Sequence, residues 1–305
     1  MASTFTPQPP QQNPPPASGV MRSRAVAAGA GARWWTRGWK MFRSSIGTWL
    51  GILLVYIVVT WLLNSVPRIG AIAEWLLMPV FLGGIMLGCD ALHAGRPLRV
   101  THLFDGFKGP HFVPLLLIGV FNLLLCVLAV VVAVIVLATG LGMSGLMNLA
   151  ELPADPWELL RTLGLTYVVL IVLALAAFTL FATANWFAPT LVVLRGARAF
   201  PAMAASVRAS FRNWLPFLIY GIIGAGILIV AMAVFAALAG VIGYEAIWAI
   251  VMGDAGWEAF TFGMGVLSAV YAGLAIVGSA VVFGSTYASY RDTLAPENPE
   301  AETRA

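Results

Sequence analysis

The chain has 305 residues, of which 60% are hydrophobic and only 10% are charged. Soluble domains average about 45–50% apolar and about 25% charged residues, so this composition excludes an ordinary soluble protein and predicts a membrane protein. The formal net charge is +4. In so apolar a chain we assign the cations to membrane orientation and to anionic lipid, and we expect no nucleic-acid partner.

The two ends of the chain differ from the rest in composition. Residues 1–32 are rich in Pro, Gln, Ala and Ser. Such a segment cannot bury enough apolar surface to offset the entropy of ordering, so we expect a disordered cytoplasmic tail. We expect residues 293–305 to form a second disordered cytoplasmic tail. The membrane domain is predicted to occupy residues 33–292.

Six apolar stretches follow the N-terminal tail, each near or above the roughly 20 residues that cross the hydrocarbon core as a helix. They are 46–64, 70–92, 112–138, 163–187, 214–241 and 262–287. Helix is the form that satisfies every backbone group within the segment. The predicted fold class is therefore all-α, a polytopic bundle of six transmembrane helices. The longer outer connections are predicted at 139–162 and 242–261, the second as an interfacial or re-entrant segment.

Positive charge segregates to alternate connections. Of the 17 Lys and Arg residues, 15 lie in the N-terminal segment, the connections at 93–111 and 188–213, and the C-terminal tail. Only Arg68 and Arg161 lie on the opposite side, where 7 of the 13 acidic residues gather. The positive-inside rule places the basic side in the cytoplasm. We therefore expect a multi-pass protein of the bacterial inner membrane with both termini cytoplasmic.

The cytoplasmic segments share a short pattern, because each ends with a phenylalanine and a basic residue before the next span. The three pairs are Phe42 with Arg43, Phe107 with Lys108, and Phe211 with Arg212. We interpret the pattern as three in-out-in hairpins, each preceded by a cytoplasmic interfacial helix. The alternative is that Phe beside a cation is common at membrane interfaces without any repeat.

The first predicted interfacial helix has a basic face and an aromatic face. Cations and aromatic residues each recur at intervals of three and four, as one face of a helix requires. The cations are Arg33, Arg37 and Lys40, followed by Arg43, and the aromatic residues are Trp35, Trp39 and Phe42. This arrangement is typical of a helix in the headgroup plane and predicts contact with anionic headgroups. The alternative is a simple anchor for the first span.

Two asparagines are the main polar side chains within the spans. Asn122 and Asn185 could hydrogen bond between helices or line a polar pocket. No Asp, Glu, Lys, Arg or His lies convincingly at mid-bilayer, where ion-coupled transporters and voltage sensors usually carry charge. Ion-coupled transport is therefore not indicated.

A weak metal-site pattern occurs near the end of the second span. If that helix continues to His93, Cys89 and Asp90 lie one turn before it on the same side. Cys, Asp and His are metal ligands, but the spacing matches no zinc finger or metallohydrolase pattern. We expect neither a metal nor any other cofactor, and no catalytic constellation is present.

Several of these features together resemble a known group of proteins. The features are the entry at Trp39 and Phe42, the segments ending in Phe107 and Phe211, and the exit at Tyr287, Tyr290 and Arg291. They resemble the uncharacterised six-helix inner-membrane proteins of proteobacteria, a domain-of-unknown-function type related to the membrane anchor of some glycerophosphodiester phosphodiesterases. The resemblance covers residues 33 to 292 and implies six helices and cytoplasmic termini. It implies no catalytic residues.

Three functional classes follow from the sequence. The first is a non-enzymatic scaffold that binds anionic lipid, a membrane-protein partner or a second copy of the chain. The second is a transporter or channel for a small neutral or amphipathic solute, which would use Asn122 and Asn185. The third is a membrane-embedded enzyme, which would rest on Cys89, Asp90 and the three histidines.

Overall fold

The computed structural model describes residues 23–147, 155–252 and 256–295, and within these ranges the regular structure is entirely helical. The all-α prediction is confirmed for this part of the chain. The elements are α1 (Ala30–Ser44), α2 (Ile46–Asn64), α3 (Ile69–His93), the 3-10 helices η1 (Val100–Phe107) and η2 (Gly109–His111), α4 (Phe112–Met147), α5 (Pro156–Arg195), α6 (Ala199–Arg212), α7 (Trp214–Met252) and α8 (Gly256–Thr293).

Six helices are long and apolar enough to cross a membrane, namely α2, α3, α4, α5, α7 and α8, which confirms the predicted number. The predicted outer connections are corrected. The helix α4 continues to Met147, α5 begins at Pro156, α7 continues to Met252 and α8 begins at Gly256. Hydropathy reports where lipid favours apolar residues, but backbone hydrogen bonding extends a helix past that point. Residues 148–154 and 253–255 lie outside the described part.

The short elements α1, η1, η2 and α6 lie at one end of the bundle, which we call the basic end (residues 23–45, 94–111, 196–213 and 291–295). Two of them pack mainly on the two long helices that precede them in the chain. Thus η1 packs on α3 and α2, and α6 packs on α5 and α4. The helix α1 has no preceding pair and packs on the last one, α8 and α7. The first short element therefore packs on the last two long helices of the chain.

The short elements α1, η1 and α6 each approach a long helix closely at one small residue. A Cβ atom on Gly38 of α1 would overlap the Val281 carbonyl in α8, and one on Gly106 of η1 would overlap the Val80 carbonyl in α3. In α6 the hydroxyl of Ser206 instead donates to a carbonyl of α5, at 2.6 Å. Each carbonyl lies about three turns before the end of its helix. The three contacts therefore lie at a similar distance from the ends of α8, α3 and α5.

The buried core occupies the half of the bundle nearest the basic end. There α3, α5 and α8 contact one another, and α2, α4 and α7 pack outside them. The largest buried side chains include Trp49, Met86, Phe187 and Tyr287. The opposite halves of α4, α5 and α7 expose Val, Leu and Ile along their length. An apolar exposed surface is what a spanning helix presents to lipid.

The chain becomes ordered before the predicted boundary at residue 33. The Arg24 amide donates to the Thr293 carbonyl at 2.7 Å, and the Arg24 side chain donates to two further carbonyls at the end of α8. Asn213, between α6 and α7, accepts from the Val26 amide and donates to the Arg24 carbonyl, both at 2.9 Å. The bonds that Arg24 donates satisfy carbonyls in the last turn of α8, which have no partner within the helix. The predicted disorder of residues 1–22 and 296–305 concerns residues outside the described part.

Candidate lipid-binding site at the basic end

The helix α1 is placed by a buried face of small and aromatic residues. Gly31, Trp34, Gly38 and Phe42 are buried and recur at intervals of three and four. Phe42 is only 5% exposed and packs into the protein core, so it does not share a lipid-facing surface with Trp39. Sequence reasoning missed Trp34. The signal that could have found it is the four-residue repeat of Trp, Gly and Phe on one face.

One carboxylate at the end of α8 fixes the orientation of α1. The indole Nε1 of Trp34 donates to Asp292 Oδ2 at 3.0 Å, and Arg37 Nη1 forms an ion pair with Asp292 Oδ1 at 2.6 Å. The predicted lipid-contacting Arg37 is therefore engaged within the protein. Such a pair has little value when solvent screens it, but the buried indole adds a hydrogen bond that is costly to leave unmade.

A cluster of rings joins α1 to α5 and α7. Trp35 stacks on Tyr220 with centroids 4.7 Å apart, and its Nε1 donates to the Tyr220 carbonyl at 2.9 Å. Trp186 of α5 meets both Tyr220 and Phe217 edge-on, at 5.4 Å. Trp35 was predicted at the lipid interface, and the structure places it half-buried between helices. The cluster holds α1 rigidly against the long helices.

The remaining predicted residues of α1 are free to meet a ligand. Arg33, Lys40 and Arg43 are exposed, and within the described part of the chain none of them forms an ion pair. Trp39, on the same helix, is 45% exposed. Ammonium and guanidinium groups donate charge-assisted hydrogen bonds to phosphate, and an exposed indole favours the headgroup level of a bilayer. This set can bind an anionic headgroup.

The other two predicted Phe-cation pairs have different environments. Phe107 is half-buried against Phe81 and Phe112, with ring centroids 5.2 and 5.8 Å away, and Lys108 pairs with Asp105 at 2.6 Å. At the end of α6, in contrast, Phe211 is 57% exposed and Arg212 is exposed. Phe211 and Arg212 are therefore exposed together, whereas Phe107 packs within the protein and the exposed Lys108 is paired with Asp105.

Asn122 and Asn185 meet across the α4–α5 contact. Asn122 Nδ2 donates to Asn185 Oδ1 at 2.8 Å, and Asn185 Nδ2 donates to Asn122 Oδ1 at 2.9 Å. Asn185 also donates to the Phe181 carbonyl. Each amide therefore satisfies the other, which favours the interhelical hydrogen bond over the polar pocket.

We expect Asn185→Leu to destabilise the protein by about 1 kcal/mol, because it leaves Asn122 without its partner in an apolar contact. Asn122→Leu should cost a similar amount. The double variant should cost less than the sum, because it removes both amides together. Thermal unfolding of the three variants in detergent measures this coupling.

Additive costs would contradict the pairing of the two amides. The same Asn122→Leu variant also tests the transporter alternative in proteoliposomes. A solute flux that the unmodified protein carries and the variant loses would favour transport.

The weak metal-site residues Cys89, Asp90 and His93 lie at the end of α3. Asp90 and His93 contact α8 there. Cys89 is buried in the core, and Tyr287 donates its hydroxyl to Asp90 Oδ1 at 2.7 Å. The His93 ring centroid lies 5.8 Å from that of Tyr287. Among residues 23–147, 155–252 and 256–295, no three His, Cys, Asp or Glu side chains form a group that could hold a metal. Asp90 therefore accepts a hydrogen bond that joins α3 to α8.

A polar cavity of about 380 Å³ lies beside Asp90 at the basic end. The two other histidines of the sequence, His102 and His111, line it together with Arg96. His102 Nδ1 accepts from the Arg99 amide at the start of η1, which gives this ring a local structural role. Arg96 approaches Asp90 at 3.8 Å. Lys108 and Asp105, which also line it, pair with each other at 2.6 Å.

Comparison with known proteins agrees with the membrane assignment. The chain is 28% identical over 279 residues to a probable inner membrane protein of Burkholderia thailandensis, an alignment that covers 90% of this chain and 95% of that protein. No family model and no solved structure matches the chain. These comparisons show no link to the membrane anchors of glycerophosphodiester phosphodiesterases. With its six apolar helices and this similarity, the chain is a multi-pass inner-membrane protein.

Proposed function

We propose that the chain is a non-enzymatic membrane protein whose basic end binds the headgroups of anionic phospholipids through α1. The observation that carries this proposal is the set of three exposed cations, Arg33, Lys40 and Arg43, on the same helix as the exposed ring of Trp39. Each cation near an anionic surface contributes roughly 1 kcal/mol of attraction. The set is therefore strong enough to enrich anionic lipid around this end.

The fixed position of α1 adds to the proposal. Asp292 holds one side of the helix through Trp34 and Arg37, and Tyr220 holds the other through Trp35. The cations therefore project from a pre-organised backbone, and binding does not have to order the helix first. A scaffold that recruits lipid needs this rigidity more than it needs a reaction centre.

The orientation belongs to the same proposal. The basic end faces the cytoplasm, as the distribution of Lys and Arg indicates, and the long helices form three in-out-in hairpins with short elements at headgroup level. The contacts that Gly38, Gly106 and Ser206 make at a similar distance from the ends of their long helices support the threefold repeat.

The test compares two charge-neutralising double variants. Arg33→Gln with Lys40→Gln should reduce the enrichment of phosphatidylglycerol over phosphatidylethanolamine that co-purifies with the protein, by roughly fivefold per cation. The control, Arg68→Gln with Arg161→Gln, removes the same charge from the opposite end and should leave the enrichment unchanged. Lipid mass spectrometry after extraction measures both. Equal losses in the two double variants would show a net-charge effect and contradict a site on α1.

A further inference from the structure

A long apolar groove runs along the outside of the bundle between α7 and α8, with a volume of about 1260 Å³. The helix α1 closes its end at the basic side with Trp35, Thr36, Trp39, Lys40 and Arg43. Its walls are almost wholly aliphatic and aromatic. The groove is therefore apolar along its length, and its charged residues are confined to one end.

The depth of the groove comes from small residues. Gly224 in α7 and Ala275 and Gly278 in α8 line it where larger side chains would fill it. A Cβ atom on Gly224 would meet the Trp35 ring, so this position is already covered by α1. A Cβ atom on Gly278 would meet nothing within 4 Å. Gly278 therefore opens directly into the empty part of the groove.

The length of the groove matches one leaflet of a bilayer. Its lining runs from Gly224 to Ala236 along α7 and from Val282 back to Tyr271 along α8. At 1.5 Å per residue these stretches are about 18 Å long. Half of a hydrocarbon core of about 30 Å is about 15 Å. An occupant with its charged end at Lys40 would thus reach roughly to the middle of the membrane.

The mouth of the groove fits an anion. Lys40 and Arg43 are exposed there, and within the described residues neither forms an ion pair. Trp39 adds an exposed indole at the same end of the groove. The lining residues include no Asp or Glu. Positive charge above an apolar slot is complementary to a phosphate group that carries acyl chains.

We propose that this groove is a binding site for one anionic phospholipid, with its acyl chains between α7 and α8 and its phosphate at Lys40 and Arg43. This site rests on the proposed function, because it assigns a defined lipid to part of the same α1 surface. It differs from the diffuse attraction of headgroups in depending on the shape of the α7–α8 groove as well as on charge.

The test uses the full chain in lipid nanodiscs that contain phosphatidylethanolamine and phosphatidylglycerol, followed by native mass spectrometry of the released protein. We expect the unmodified protein to retain one phosphatidylglycerol. Gly278→Leu places a side chain in the groove and should reduce retention by roughly tenfold. Gly273→Leu is the matched control, since Gly273 is also an exposed α8 glycine with nothing within 4 Å of an added Cβ atom and does not line the groove. It should retain the lipid.

The outcomes separate this site from the proposed function. Unchanged retention in Gly278→Leu would overturn the groove site and leave the enrichment test on Arg33 and Lys40 unaffected. Loss in Gly278→Leu without loss in Lys40→Gln with Arg43→Gln would overturn the anionic assignment of the groove, whereas the proposed function stands or falls with the enrichment test on Arg33 and Lys40. A dimer that dissociates in Gly278→Leu would mean that a second copy occupies the groove, which also overturns the proposal.

Discussion

Trp34→Ala should destabilise the protein by about 3–5 kcal/mol, the range for truncating a buried aromatic side chain. Trp34 is fully buried, packs on Phe217 with ring centroids 5.2 Å apart, and donates its indole hydrogen to Asp292. The change therefore leaves a cavity and an unpaired carboxylate oxygen at the α1–α8 contact. The midpoint of thermal unfolding in detergent should fall by roughly 6–20 °C, by the scaling for large domains.

Trp39→Ala is the matched control, because Trp39 lies on the same helix and is exposed. Its effect on stability should stay within about 0.5 kcal/mol, as for most surface substitutions. It should instead lower the anionic-lipid enrichment, since it removes the indole beside Lys40 and Arg43. If Trp39→Ala destabilised the protein more than Trp34→Ala, α1 would have to pack through its opposite face.

Gly38→Leu should be as damaging as the loss of Trp34, for a steric reason. The Cβ atom alone would overlap the Val281 carbonyl and the Ser285 backbone amide, and these backbone atoms cannot move without separating α1 from α8. Adding methylenes to a packed contact costs about 1–3 kcal/mol, and occasionally more. Because the obstacle here is backbone, we expect a destabilisation at the top of that range. A lower midpoint of thermal unfolding in detergent would measure it.

The control for this substitution has the opposite expected sign. Gly47 in α2 is exposed, and an added Cβ atom there would meet nothing within 4 Å. Gly47→Leu should therefore stabilise slightly, by about 0.5–1 kcal/mol, because glycine is a poor helix former. Gly106→Leu should behave like Gly38→Leu if the crossings are equivalent. A tolerated Gly106→Leu would argue against the threefold repeat.

Much of the fold could be predicted because membrane helices leave a long signal. The span predicted at 46–64 coincides with α2, and the span at 70–92 falls within α3. The ends of α4, α5, α7 and α8 away from the basic end were harder to predict, and α5 also continues to Arg195, past the predicted end of its span at residue 187. Hydropathy falls near the membrane surface, whereas backbone hydrogen bonding continues into water without a change in composition.

The site was predicted less well than the fold. Arg33, Lys40, Arg43 and Trp39 were identified from the sequence, and the structure exposes them together. Arg37 and Phe42 share their residue types and periodicity, yet one pairs with Asp292 and the other is buried in the core. An amphipathic helix that packs on protein and one that lies on lipid have the same sequence pattern, because both partners are apolar on one side.

The sequence by itself determined that α1 is a basic, tryptophan-rich helix placed before the first of six apolar spans, because composition and periodicity are local properties. Only the tertiary structure decided which cations of α1 remain exposed and that the helix closes the α7–α8 groove. Those outcomes depend on contacts between residues more than 180 positions apart, such as Trp35 with Tyr220 and Arg37 with Asp292. No local pattern can specify these contacts, since each one forms only when α1 packs against α7 and α8.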